Sequence, residues 1–139
     1  IACDNSGQRV FVTGSASNSI AVLDVSNSAE LHDAPELITS STDEVLNPVG
    51  AAYDAANGLL YVASESENKL VVFEIDATTA HLMFLHEVKS SAYMSEPHYV
   101  GHSPAENLVF VSGYSSSSAC VVDVSYSSSY SSPSSSSSS

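Results

Sequence analysis

The chain has 139 residues, and its 16 Asp and Glu against three Lys and Arg give a formal net charge of −13 at pH 7. A field of this sign repels phosphate backbones and anionic lipid, so nucleic acid is not expected as a partner. Hydrophobic residues make up 43% of the sequence, but no apolar run approaches the roughly 18 residues that span a membrane, so no membrane insertion is expected. The acidic composition favours a secreted or cell-surface protein, and salt adaptation would give a similar composition.

The sequence repeats itself with a period of 49–50 residues. Phe11, Tyr61 and Phe110 hold the same position in three successive copies, 50 and then 49 residues apart. Each copy has two apolar segments in succession, at 9–13 and 18–25, 59–63 and 68–75, and 108–112 and 119–124. A segment upstream of these pairs also recurs, at 48–54 and 97–103. A repeat of this length indicates an array of similar structural units.

Each copy is predicted to consist of β-strands, because its segments are rich in β-branched and aromatic residues. The upstream segment supplies the first strand, and the apolar run at 70–73 predicts a later strand covered on both faces. Fourth strands are predicted at 36–39 and 82–85. Turns before the second strands are predicted at 5–7 and 56–58. The segment 28–34 is predicted to form one helical turn at most. Four strands in about 49 residues predict an all-β fold made of β-propeller blades.

The predicted domain is a partial β-propeller over 1–125, with repeats at about 1–47, 48–96 and 97–125. Propellers close with typically 4–8 blades. Three blades are too few, so we expect a longer natural chain, a ring completed by several chains, or a dissected piece. The segment 126–139 is almost all Ser, which predicts a disordered tail. Alternatively, Ser there stands for residues of unassigned identity.

The repeated segments resemble those of a known family. Residues 10–12 with 18–25, and 60–62 with 68–75, resemble the YVTN-type surface-layer repeats and the related lactonase-type seven-bladed propellers. Pro97-His98-Tyr99-Val100 followed by Ser103-Pro104 resembles the segment that opens blades in the lactonase group. The resemblance implies a seven-bladed propeller with His98 near the mouth of the central channel. It also implies Arg and Glu partners from other blades, none of which can be placed in this sequence.

Few residues suggest chemistry. His98 is the candidate catalytic residue. His98 and His102 are four residues apart, but in a strand and turn they need not face the same way, so a metal pair is not favoured. The acidic residues Asp4, Asp24, Asp54, Glu74 and Asp123 recur by repeat position, which predicts caps of turns and strand ends. Asp4 and Asp54, with the two histidines, are the candidate ligands should calcium bind; no other cofactor is expected.

The two cysteines, Cys3 and Cys120, allow either one disulfide or two buried free thiols. The sequence has neither a Gly-x-Ser-x-Gly motif for a nucleophile nor a Gly-x-Gly-x-x-Gly phosphate loop. The leading hypothesis is therefore a non-catalytic extracellular or cell-surface propeller. Such a binding or assembly module would take protein or glycan partners, other copies, or the rest of its own chain. The alternative is a lactonase-like hydrolase with its site on the central channel of the complete propeller.

Overall fold

The structure, a computed structural model, describes residues 1–4, 6–26 and 43–125, together with the backbone of 36–40. The described residues form eleven strands and one turn of 3₁₀ helix, Glu65–Glu67. The strands are β1 (Ala2–Cys3), β2 (Arg9–Gly14), β3 (Ser19–Asp24), β4 (Glu36–Ser40), β5 (Pro48–Asp54), β6 (Leu59–Ser64), β7 (Lys69–Ile75), β8 (Leu82–Lys89), β9 (Pro97–Ser103), β10 (Leu108–Gly113) and β11 (Ser118–Asp123). Within these ranges, no helix is long and apolar enough to cross a membrane.

The strands form three antiparallel sheets, each a simple meander in chain order. Blade 1 contains β1–β4, blade 2 contains β5–β8, and blade 3 contains β9–β11. The pairs Phe11–Val22, Tyr61–Val72 and Phe110–Val121 lie opposite each other in the same register in the three blades. The predicted strands and the partial β-propeller are therefore confirmed. The residue bounds predicted for the three repeats stay a prediction, and 28–34 and 126–139 lie outside the described residues.

The turns between strands are closed by the acidic residues that recur with the repeat. The Asp4 carboxylate accepts hydrogen bonds from the backbone N–H groups of Gln8 and Arg9, at 2.9 and 3.1 Å. The other three such turns are capped by Asp24, Asp54 and Asp123. At these four positions the predicted capping role is confirmed, but the turn after β7 is capped by Asp76, which accepts from the N–H groups of Thr78 and Thr79, and not by Glu74 as predicted. The hydrogen bonds also hold the pKa values of Asp4, Asp24 and Asp123 below their usual range, and at Asp4 they outweigh burial, which alone would raise the pKa.

The core lies between blades rather than inside any one of them. One cluster joins blades 1 and 2 and contains Phe11, Ile20, Val62 and Phe73 among its fully buried side chains. A second cluster joins blades 2 and 3 and is built on the opposite face of blade 2. The run at 70–73 on β7 is completely buried, so the prediction of a strand covered on both faces is confirmed. Stability in this architecture depends on contacts between neighbouring blades.

The far face of blade 3 carries the same kinds of residue as the buried faces of blades 1 and 2. Phe11 and Tyr61 have no exposed surface, but Phe110, at the same repeat position, is 44% exposed. Val121 is 54% exposed, whereas its equivalents Val22 and Val72 are buried. This face has the composition of an interface between blades.

In two of the turns, an asparagine side chain accepts a hydrogen bond from the backbone of the next blade. Asn18, in the β2–β3 turn, accepts a hydrogen bond through Oδ1 from the backbone N–H of Asn47, at 2.8 Å. Asn68, in the β6–β7 turn, accepts one from the N–H of Glu96 at 2.9 Å. Both have left-handed backbone, with φ of 50° and 54°, and Ser117 has φ of 50° at the same position of blade 3. Asn tolerates this conformation better than most residues.

Replacing Asn68 by alanine is expected to lower the free energy of unfolding by about 2 kcal/mol, since it removes the hydrogen bond and leaves a side chain poorly suited to left-handed backbone. Asn68→Gly is the matched control, because glycine keeps the backbone conformation and only the hydrogen bond is lost, for about 1 kcal/mol. Urea denaturation of both variants measures the difference. Two variants that are as stable as the parent would show that this bond between blades contributes nothing.

Candidate functional site

His98, the second residue of β9, lies between groups from two blades. Its imidazole ring stacks on the ring of Tyr114, with centroids 5.0 Å apart and planes 8° from parallel. Its Nε2 atom is buried and lies 3.4 Å from Oε1 of Glu65, without forming a hydrogen bond in this geometry. The side chain as a whole is 40% exposed. One nitrogen of His98 thus faces a carboxylate while part of the ring reaches solvent.

Glu65 is held in place from its own blade. Its backbone N–H donates to the carbonyl oxygen of Asn47 at 3.1 Å. The side-chain amide of Asn47 in turn donates to Oε2 of Glu65 at 2.6 Å. This leaves Oε1 as the oxygen that faces His98. The carboxylate is therefore oriented before any ligand arrives.

A cleft of about 360 Å³ opens beside His98. It lies between the first strands of blades 2 and 3, where β5 contacts β9. The cleft is lined by Ile1, Val49, Gly50, Ala51, His98, Tyr99 and Val100. The first strands of the blades contact one another, as strands around the central channel of a propeller do; the place of His98 at the mouth of that channel stays a prediction.

A second polar cluster lies at the other end of β9. His102 is 5% exposed, and its Nε2 atom lies 3.7 Å from Oδ2 of Asp54, which is 2% exposed. The His102 ring also contacts Tyr61, with centroids 5.4 Å apart. Burial, together with the Asp54 carboxylate, raises the pKa of Tyr61 to about 12. His98 and His102 are therefore about 13 Å apart along the strand. His98 lies near Glu65, and His102 lies near Asp54.

A family model described as "Lactonase, 7-bladed beta-propeller" matches residues 9–137 of the chain. The chain belongs to this lactonase family. No curated protein sequence matches it. The predicted resemblance to lactonase-type propellers is confirmed.

Solved structures of low identity share the fold. A periplasmic gluconolactonase from Pseudomonas aeruginosa superposes with a TM-score of 0.70 at 18% identity, over 86% of this chain and 33% of that one. A putative 6-phosphogluconolactonase from Bacteroides fragilis superposes with a TM-score of 0.72 at 10% identity, over 87% and 33%. A functionally unknown protein from Desulfotomaculum acetoxidans gives a TM-score of 0.69 at 18% identity, over 86% and 37%. This lactonase-family chain thus spans about a third of the length of each.

Of the four candidate metal ligands of this lactonase-family chain, the structure brings together only Asp54 and His102, whose Oδ2 and Nε2 atoms are 3.7 Å apart. Asp4 and Asp54 cap separate turns, Asp4 in blade 1 and Asp54 in blade 2, and His98 and His102 lie at opposite ends of β9. Among the described residues, no group of three or more His, Cys, Asp or Glu side chains could hold a metal ion. Calcium binding therefore stays a prediction, and no such group of ligands among the described residues supports it. Cys3 and Cys120 are free thiols, but neither is buried as predicted: Cys3 is exposed and Cys120 is half-buried.

All three cationic side chains of the sequence have partners elsewhere. Arg9 is half-buried and donates to the carbonyl oxygen of Ala77 at 3.4 Å. Lys69 is 5% exposed and lies 2.9 Å from both Glu67 and Glu87. Burial acts to lower the pKa of Lys69, but the hydrogen bonds and charges of these two carboxylates outweigh it and raise that pKa. Lys89 lies 3.1 Å from Glu87. None of the three side chains is among the residues that line the cleft.

Sequence reasoning missed Glu65, Asn47 and Tyr114 as neighbours of His98. The signal was present in the repeat, because Glu65 and Tyr114 are 49 residues apart and hold the same position in blades 2 and 3. Residues at this position follow the second strand and reach toward the first strand of a blade. Glu65 meets His98 from the preceding blade, whereas Tyr114 contacts His98 within blade 3.

Proposed function

We propose that this chain contributes a site for lactone hydrolysis to the channel of a lactonase-family propeller. The observation that carries the proposal is the buried Nε2 atom of His98, which faces the oriented carboxylate of Glu65 beside an open cleft. A histidine whose one nitrogen is held by a carboxylate keeps a defined tautomer and can accept a proton at the other nitrogen. This pairing is typical of a general base.

The proposed hydrolysis uses two side chains of this chain, His98 and Glu65. Water attacks the acyl carbon of the lactone, and the bond between that carbon and the ring oxygen breaks. His98 takes the proton of the attacking water at Nδ1 and returns a proton to the departing ring oxygen, so that the product is a hydroxy acid. Glu65 stabilises the imidazolium that forms in between. The distance of 3.4 Å fits an empty site, since catalytic hydrogen bonds are often long before substrate binds.

The similar structures suggest the kind of lactone. Two of them are named for gluconolactone or 6-phosphogluconolactone hydrolysis, so we propose a sugar lactone as the substrate. Because this chain covers about a third of those proteins, the donors that stabilise the developing oxyanion are proposed to come from other blades. The resemblance implied such Arg and Glu partners for His98.

His98→Gln in the complete natural protein is expected to lower kcat for sugar lactone hydrolysis by about 10²–10⁴-fold, the usual contribution of a general base. Acid release from glucono-δ-lactone in a pH-stat measures the rate. The matched control is His81→Gln, since His81 is an exposed histidine between β7 and β8 and its loss should leave kcat unchanged. A His98→Gln variant with the parent's kcat and stability would contradict the proposal.

The non-catalytic extracellular or cell-surface module is the competing proposal. Its support is the net charge of −13 and a sequence without a nucleophile motif; the comparisons give it no support. It would take protein or glycan partners, other copies of the chain, or further blades of its own. A complete protein that hydrolyses no lactone but binds glycan would favour this second function.

A further inference from the structure

Hydrogen bonds connect blade 1 to the carboxylate that faces His98. Asn18, in the β2–β3 turn of blade 1, accepts a hydrogen bond through Oδ1 from the backbone N–H of Asn47 at 2.8 Å. The side-chain amide of Asn47 donates to Oε2 of Glu65 at 2.6 Å, and its carbonyl oxygen accepts from the N–H of Glu65 at 3.1 Å. Oε1 of Glu65 then lies 3.4 Å from Nε2 of His98 in blade 3. A turn of blade 1 is thus joined, through blade 2, to the group beside the proposed general base.

Asn47 holds Glu65 from a backbone conformation that its surroundings fix. Its φ is 53°, in the left-handed region that residues with a side chain adopt rarely. Two bonds stabilise the segment: the N–H of Asn47 donates to Asn18, and the N–H of Leu46 donates to Oγ of Ser64 on β6 at 3.0 Å. The same residue supplies the left-handed backbone and the amide that binds Glu65. A rotation of Asn47 would therefore move the amide away from the carboxylate.

Glu65 needs such a partner because its side chain has an alternative to His98. The side chain is 25% exposed, so water can bind both carboxylate oxygens in other rotamers. With Oε2 held by Asn47, Oε1 is directed at Nε2 of His98. Groups that assist catalysis must stay within about 0.5 Å of their productive positions, and hydrogen bonds from neighbouring residues keep them there.

We propose that Asn18 and Asn47 are positioning residues for His98 and act through Glu65. The inference rests on the proposed lactonase function, since it assigns both residues a role in the rate of that reaction. Asn47 orients the carboxylate directly, and Asn18 keeps Asn47 in the conformation that does so. The site between blades 2 and 3 therefore reaches its full rate only with blade 1 in place.

Asn47→Gly in the complete natural protein is expected to lower kcat for glucono-δ-lactone by about 10-fold, the equivalent of one hydrogen bond to a charged group, with KM unchanged. Glycine adopts left-handed backbone readily, so the variant loses the amide and keeps the conformation. The pH-stat assay measures both constants at a temperature at which circular dichroism shows the variant to be folded. A variant with the kcat of the parent would overturn the inference.

A double-mutant comparison tests whether Asn47 acts through Glu65. Glu65→Ala removes the carboxylate and is expected to lower kcat by about 100-fold, as displacement of a catalytic group does. In that background Asn47→Gly should lower kcat no further, because no carboxylate is left to orient. A further 10-fold loss, about the size of the effect in the parent, would show that Asn47 acts by another route and would overturn the inference.

Asn18→Gly tests the contribution of blade 1. It is expected to lower kcat by about 3-fold, less than Asn47→Gly, because Ser64 still holds the neighbouring residue. Asn107→Gly is the matched control: Asn107 is an exposed asparagine with φ of 54° in the β9–β10 turn, and Gly58 holds the same repeat position in blade 2. Its kcat should equal that of the parent. Equal kcat in the two variants would overturn the role of Asn18.

Crystal structures of the parent and of Asn47→Gly separate this inference from the lactonase function. In the variant we expect Oε1 of Glu65 to leave its position 3.4 Å from His98 Nε2 or to occupy two orientations. An unmoved carboxylate would overturn the inference whatever the activity. A parent protein that hydrolyses no sugar lactone would overturn the lactonase function, and the position of Glu65 would still decide whether Asn47 holds it.

Discussion

Replacing Phe73 by alanine is expected to lower the free energy of unfolding by about 3–5 kcal/mol, the largest loss of stability that we expect from a single substitution in this chain. The Phe73 side chain on β7 has no exposed surface and lies in the cluster that joins blades 1 and 2. Alanine would leave a cavity that the rigid strands on both sides cannot close. Chemical denaturation followed by circular dichroism measures the loss.

Phe84 supplies the matched control. It faces Phe73 across the β7–β8 pair, with ring centroids 6.5 Å apart and planes at 78°. The two rings share one contact, but Phe84 is 47% exposed, so Phe84→Ala is expected to lose about 1 kcal/mol. Equal losses in the two variants would mean that the contact between the rings, and not burial between blades, determines the stability.

Gly50→Ala is expected to lower the free energy of unfolding by about 3 kcal/mol, at the upper end of the range for overpacking. A Cβ atom at Gly50 would lie 2.5 Å from the carbonyl oxygen of His98, 2.9 Å from the nitrogen of Val100 and 3.1 Å from the Cα of Tyr99. All three are backbone atoms of β9, so no side chain can rotate away and the strand itself must move. Thermal unfolding measures the stability of the variant.

The same substitution tests the site. Movement of β9 shifts His98 relative to Glu65, and a displacement of about 1 Å can lower a rate by about 100-fold. Gly101→Ala is the control on β9, because a Cβ atom there would meet nothing within 4 Å. Its stability and lactone kinetics should match those of the parent. A Gly50→Ala variant that matches the parent equally well would show that β5 and β9 separate freely.

The fold could be predicted because the repeat carries the information locally. The positions of Phe11, Tyr61 and Phe110 indicate the period and the second strand of each blade without knowledge of any distant contact. Alternation of apolar residues then predicts which faces are covered. The sequence predicts strand lengths less well: β8 extends to Lys89, beyond the predicted end at 85, because polar residues on its exposed face interrupt the apolar pattern.

The candidate site could be predicted only in part. His98 was found through the resemblance, because it stands in a recognisable segment next to a proline. Glu65 is 33 residues away in sequence and meets His98 only because blades 2 and 3 pack face to face. The same is true of Asp54 and His102, which are 48 residues apart. Contacts between blades depend on how adjacent sheets are stacked, and this is not encoded in the pattern within one strand.

The asparagine bonds of Asn18 and Asn68 have a consequence for how such a protein could grow. Each holds the backbone at the start of the following blade, and the paired strands keep one register in all three blades. Blade 2 is thus held to both of its neighbours by the same kind of hydrogen bond. Duplication of the gene segment that encodes one blade would add a unit that its neighbours can already hold, so blade number could change in evolution without redesign of the existing interfaces.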